Sequence, residues 1–188
     1  MKSKPKEVDR PTTFGVVVEY SGDMGLLRKS CKSLKASDFD KTKFNVVISS
    51  MSNNDVNGLV HETNLLLQEG ITTTLVMHTH QAYEFERDFN SFDKVSGMRY
   101  LMQIQPESNF SPHTLKQIDA LTVDKESGQI IRQYVMFEGV GWTCVLTKIV
   151  QVQYNDHRSY KSMITAVRKS TREASLYKSI HQEPMVNV

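Results

Sequence analysis

The sequence predicts an α/β protein of three layers, α/β/α, built round a mainly parallel sheet. Short β-branched runs alternate along the chain with helical segments of 11 to 14 residues, the order that a parallel sheet with crossover helices requires. The runs are apolar almost throughout rather than at every second position, as in strands covered on both faces. The 188 residues fit one domain and leave no room for a second.

Residues 1–13 are polar with two prolines and read as a flexible basic arm carrying Lys2, Lys4 and Lys6. Order is expected from Phe14. The run Phe14–Tyr20 is the first strand, Ser21-Gly22-Asp23 breaks it, and Met24–Leu34 carries apolar residues at 24, 27, 31 and 34 on one helical face. Phe44–Ser49 repeats the buried-strand pattern. The polar stretch after it supplies a turn and a cap for a helix over Val56–Gln68, with helical spacing 59, 62, 66 and Gly70 as its stop. Ile71–Met77 is the third strand and Arg99–Ile104 the fourth. Ser111-Pro112 opens a helix that runs to about Leu121, since proline fits a first helical turn. Ile130–Phe137 and Trp142–Val152 are β-rich. A closing helix from about Ser159 to His181 has the stripe Tyr160, Ile164, Val167, Thr171, Ala174 and Tyr177 for packing on the domain. Its other face leaves Arg168, Lys169 and Arg172 for an anionic partner.

Composition narrows the function classes. With 23 basic and 21 acidic side chains the formal net charge is +2, which argues neither for nor against nucleic acid, and none is expected as a partner. Cys31 and Cys144 lie inside apolar segments without CxxC or Cys/His spacing and read as buried free thiols of a reducing compartment. No apolar run of about 18 residues is present to cross a bilayer. The first residues lack the apolar stretch of a signal peptide, so a cytoplasmic protein is expected.

In a parallel sheet, ligands bind beyond the carboxyl ends of the strands. The loops to search therefore follow Tyr20, Ile48, Met77 and Ile104. His78 and His80, two apart after the third strand, could share a metal. With no third ligand in view they read as residues of a solvated loop. No Ser/His/Asp or Cys/His motif, phosphate-cradling glycine loop or zinc spacing is recognisable.

Three blocks of sequence are similar to the inverting family-two glycosyltransferases of the GT-A fold, over about residues 14–121. FGVVVEYSGDMGLLRKSCKSL resembles their first strand, turn and helix. FNVVISSMSNND resembles their second strand and its acidic loop. FNSFDKVSGMRYLMQIQPESNFSPHTL resembles the stretch in which an Asn and a helix lead to a Gly, then to the strand that carries the metal-binding Asp-x-Asp and on to a Ser-Pro helix start. The resemblance implies a nucleotide sugar as donor and a divalent ion, Mn2+ or Mg2+. It implies nucleotide contacts at Tyr20, Ser49, Ser50, Asp55, Asn90 and Gln105, metal ligation by Glu107 and by His157, and a base supplied by Glu138 or Asp156. The segment Tyr83–Phe92 would lie over the sugar.

The departures from that pattern are chemical. Ser49 and Ser50 stand where the family has an acid that holds the nucleotide, with Asp55 as the nearest carboxylate. Gln105-Pro106-Glu107 replaces Asp-x-Asp, and a neutral Gln carbonyl is a poor substitute for a second anionic oxygen, so metal binding is expected to be weak. Nothing between Gly139 and Gln153 is acidic where the family has its general base. Two expectations follow from the resemblance and its gaps. One is a small transferase. The other is a transferase-like domain without catalysis, serving as a structural or interaction component of a larger assembly, as a homo-oligomer or beside a protein partner. Chains of this compact kind also look similar to accessory proteins of tailed phages, which would place such a component in a virion.

Overall fold

A computed structural model describes residues 12–51, 55–79, 90–95, 97–104 and 110–122, and the backbone of 134–137, 142–146 and 178–180. Strands β1 (Phe14–Glu19), β2 (Phe44–Met51), β3 (Thr72–His78), β4 (Tyr100–Ile104), β5 (Tyr134–Phe137), β6 (Trp142–Leu146) and β7 (Lys178–Ile180) form one sheet in the order β3-β2-β1-β4-β6-β5-β7. The first four strands are mutually parallel. β1 lies between β2, with Phe14 opposite Phe44 and Glu19 opposite Ser49, and β4, with Phe14 opposite Tyr100 and Val18 opposite Ile104. β6 runs antiparallel to both β4 and β5, and β7 is parallel to β5. The four strands expected to be parallel neighbours are so, and the three-layer α/β class holds.

Side-chain alternation divides the core. Phe14, Val16 and Val18 of β1, Phe44, Val46 and Ile48 of β2 and Tyr100, Met102 and Ile104 of β4 share one face. They pack with Leu27, Cys31 and Leu34 of helix α1 (Met24–Lys35), Leu59 and Leu66 of α2 (Val56–Gln68), and Leu115 and Ile118 of α3 (Thr114–Thr122). On the other face Val17, Val47 and Leu101 are buried, as are Phe92 and Val95, which belong to the helical residues 90–93 and the turn after them. That layer comes so close that a β-carbon on Gly15 would stand 2.6 Å from Val95 Cβ, so only glycine fits there.

The helix ends have identifiable causes. Asp23 caps α1 by accepting from the N–H groups of Gly25 and Leu26 at 2.8 and 3.2 Å. α2 stops in a Schellman turn: Gly70 takes φ +80°, its N–H donates to Leu67 O at 3.0 Å, and Ile71 N–H donates to Leu66 O at 3.1 Å. Ile71 thus belongs to the stop of α2, which is why β3 begins one residue later than its apolar pattern suggests. Position 62 lies on the buried side of α2 as its spacing requires, but it holds a glutamate. Arg28 of α1 reaches across to it at 3.1 Å.

Two boundaries need correction. Thr12 and Thr13, placed in the loose arm by composition, are tied down: Thr13 Oγ1 accepts from Arg99 N–H and Thr13 O from Tyr100 N–H, both at 2.9 Å. Residues 1–11 lie outside the described residues. The closing helix was expected to reach His181, yet Lys178–Ile180 is a strand, with Val135 opposite Lys178 and Phe137 opposite Ile180. Pairing satisfies the N–H and C=O groups of a β5 edge that would otherwise stay open, and such tertiary pairing overrides a local helical period. Residues 159–177 of that helix lie outside the described residues. No described helix is long and apolar enough to cross a membrane.

Cys31 is a fully buried free thiol, as its apolar surroundings imply. Burial first, and the negative charge of Glu62 second, push its pKa from 9.0 up to about 12. The fold therefore holds a proton that the unfolded chain releases, and stability falls as pH rises from 9 toward 12. Unfolding free energies from urea melts at about pH 8 and about pH 10.5 should show a drop of about 2 kcal/mol in the wild type that Cys31→Ala lacks.

Candidate functional site

Because β1–β4 share one direction, their carboxyl ends line a single edge, and α1 and α2 start there. The two helix starts converge: a β-carbon on Gly58 would lie 2.7 Å from Met24 Cε. Helix N-termini attract anions, and here each already faces a carboxylate. Asp23 caps α1, and Asp55 caps α2 by accepting from Gly58 N–H at 3.0 Å. Beside them Gln103 Nε2 donates to Glu19 Oε2 at 3.4 Å, joining the ends of β4 and β1.

The most ordered polar constellation at this edge is a triangle of Ser49, His78 and Ser91. Ser49 Oγ lies 2.9 Å from His78 Nε2, Ser91 Oγ lies 3.3 Å from the same nitrogen, and Ser91 Oγ donates to Ser49 Oγ at 3.1 Å. All three side chains are buried. With the ring proton on Nδ1, Nε2 accepts from Ser49 while Ser49 accepts from Ser91. A serine 2.9 Å from an imidazole has the spacing of a nucleophile and its base. Burial shuts substrate out of this pair, and two serines crowd one nitrogen. What the triangle does is fasten β2, β3 and the 90–93 turn together at the carboxyl edge.

The residues implied by the sequence fall into three groups. Tyr20 and Ser49 meet, since Tyr20 N–H donates to Ser49 O at 2.9 Å, and Ser50 follows, its hydroxyl donating to Met51 O at 3.3 Å. Asp55 stands slightly apart as the α2 cap, and Asn90 is exposed next to the buried Ser91. Gln105, Glu107, Glu138, Asp156, His157 and His80 lie outside the described residues. His78, expected in a solvated loop, is instead the last residue of β3 and is buried. Its register opposite Met51 puts it on the Ser49 face of the sheet, where the two side chains meet. Ser91 gave no signal in the sequence, because it reaches the pair only through folding. Among the described residues, no three His, Cys, Asp or Glu side chains gather closely enough to hold a metal ion.

No protein-family model matches the sequence, and no curated protein matches it either. Solved structures share its fold. TarS of S. aureus, residues 1–349, superposes with a TM-score of 0.61 at 12% identity, over 81% of this chain and 53% of that one. The mannosyltransferase PcManGT from Pyrobaculum calidifontis, solved with GDP-Man and Mn2+, gives 0.60 at 12% identity, over 98% of this chain and 59% of that one. Glucosyl-3-phosphoglycerate synthase from Mycobacterium tuberculosis, solved with phosphoglyceric acid, gives 0.54 at 9% identity, over 88% and 67%. The chain thus has a GT-A-like glycosyltransferase fold and spans little more than half the length of the first two.

If the triangle holds the edge together, His78→Ala leaves the buried Ser49 hydroxyl without its acceptor and opens a void. The expected loss in a urea melt is about 2 kcal/mol, against less than about 0.5 kcal/mol for a histidine in a solvated loop.

Proposed function

We propose that the chain is a glycosyltransferase-like protein that binds a nucleoside-diphosphate sugar along the carboxyl edge of β1–β4. The observation that carries this reading is the sheet itself. Four parallel strands in the order β3-β2-β1-β4, flanked by the antiparallel β6, end on one edge with two helix starts beside it. A mannosyltransferase of the same fold holds GDP-Man and Mn2+, which supports a nucleotide-sugar donor.

On this reading Tyr20, Ser49, Ser50, Asp55, Asn90 and Gln105 serve the nucleotide. Glu107 and His157 would hold a divalent ion, whose charge would neutralise the departing diphosphate. The donor set offers a single carboxylate, so the ion is held weakly. Glu138 or Asp156 would take the proton of the acceptor hydroxyl as that oxygen displaces the nucleoside diphosphate at the anomeric carbon.

A second reading, binding without transfer, is favoured by Ser49. It stands in place of an acid, and its hydroxyl is already engaged by His78 and Ser91 inside the fold. Such a domain would act as a structural or interaction component of a larger assembly.

Calorimetric titration with UDP-, GDP- and dTDP-sugars, with and without Mn2+, separates the readings when paired with an assay for release of the nucleoside diphosphate. Binding of one donor with measurable turnover supports the transferase, and binding with no turnover supports the second reading. Absence of binding to all three donors contradicts the first. The variant Gln105→Asp should strengthen Mn2+ binding by roughly tenfold or more, because a second carboxylate restores the charge a divalent ion needs.

A further inference from the structure

Strand β3 is the last strand at one end of the sheet. It pairs with β2 on one side, and among the described residues no backbone hydrogen bond leaves the other side of Thr72–Met77. Natural edge strands are blunted by lysine, proline or a bulge. The run TTTLVMH has no lysine and no proline, and its register runs unbroken from Asn45 opposite Thr72 to Met51 opposite His78, so it has no bulge.

The helix above that edge is equally unprotected. Val56, Val60 and Leu67 of α2 are 46%, 42% and 47% exposed, the large apolar side chains that stand out among the described residues. Their spacing of four and seven residues puts them on one stripe. At about 100° per residue, the stripe lies roughly 120–160° round the helix from Glu62. Glu62 faces α1 through its ion pair with Arg28, so the stripe faces the opposite way, toward the outer edge where β3 lies.

We infer that the free edge of β3 and the outer flank of α2 form a two-fold interface between two copies of this chain. Antiparallel pairing of β3 with its own copy joins the two sheets into one, and the two α2 stripes meet above the seam. Charge singles out a second copy as the occupant. A two-fold axis sets each residue near its own counterpart, so any charged side chain there would meet its like. β3 contains no Asp, Glu, Lys or Arg, and α2 contains only Glu62, which is buried against Arg28 on the far flank. A nucleic acid or an acidic protein would find no lysine or arginine on β3 or α2. Seven residues of strand span about 23 Å, and sheet plus helix layer about 20 Å in depth, so two copies bury on the order of 1,000 Å2 in total. That is the lower limit of a specific interface and gives a weak, reversible dimer.

Sedimentation velocity on the full chain, from about 5 to about 500 μM, should show the mass moving from monomer to dimer. Thr74→Lys on the strand and Leu67→Lys on the helix each change an exposed residue, and melting curves confirm that both variants fold. Both should remain monomeric across the range, while Lys32→Ser on the exposed face of α1 should dimerise as the wild type does. A wild type that stays monomeric overturns the inference and leaves the edge to some other occupant. A dimer that both lysine variants retain, or that Lys32→Ser abolishes, overturns it as well.

Discussion

Strand β1 hydrogen-bonds on both sides, to β2 and to β4, and its register decides where everything else falls. Setting Glu19 opposite Ser49 and Val18 opposite Ile104 brings the carboxyl ends of three strands to one level. A one-residue slip would turn Phe14, Val16 and Val18 away from α1 and α2 and toward the layer that Gly15 admits only by lacking a β-carbon. The apolar alternation of β1 and the close contact of Gly15 with Val95 therefore specify the same register from opposite faces of the sheet. The polar edge exists because that register is unique.

Much of this was legible because it is local. The span of α2 coincides with its expected limits, since Asp55 and Gly70 punctuate it and both punctuators act within a few residues. β1, β2, β3 and β4 fall within two residues of their apolar runs. The resemblance to glycosyltransferases, carried by three weak blocks in the right order, agrees with the fold likeness to TarS and to PcManGT. Cys31 could be placed inside from its neighbours alone.

What was not legible depends on contacts between distant positions. His78 looked like the first residue of a polar loop because its sequence neighbours Thr79 and His80 are polar. Its burial comes from Ser49, 29 residues earlier, and Ser91, 13 residues later. Glu62 disturbs an otherwise apolar spacing, and only its partner on α1 explains why a carboxylate is tolerated there. Lys178–Ile180 lies at the tail of the expected helix, just past its stripe, and nothing nearby announces the β5 edge waiting for it. In each case the decisive group lies on another element, so a periodicity read along one segment could not include it.

The described part of the edge that results is polar, and its carboxylates are engaged within the fold. Among the described residues, Ser49 and Ser50 lie at the end of β2, Glu19 accepts from Gln103, and Asp23 and Asp55 spend oxygens on helix caps. A nucleotide sugar bound here would be held by hydroxyls and backbone more than by carboxylates. Amide hydrogen exchange with and without GDP-mannose tests that placement directly. Binding at the carboxyl edge should slow exchange in peptides covering residues 19–23 and 49–55 and leave the amino ends of the same strands unchanged. Protection confined to other parts of the chain, or none at saturating ligand, would contradict it.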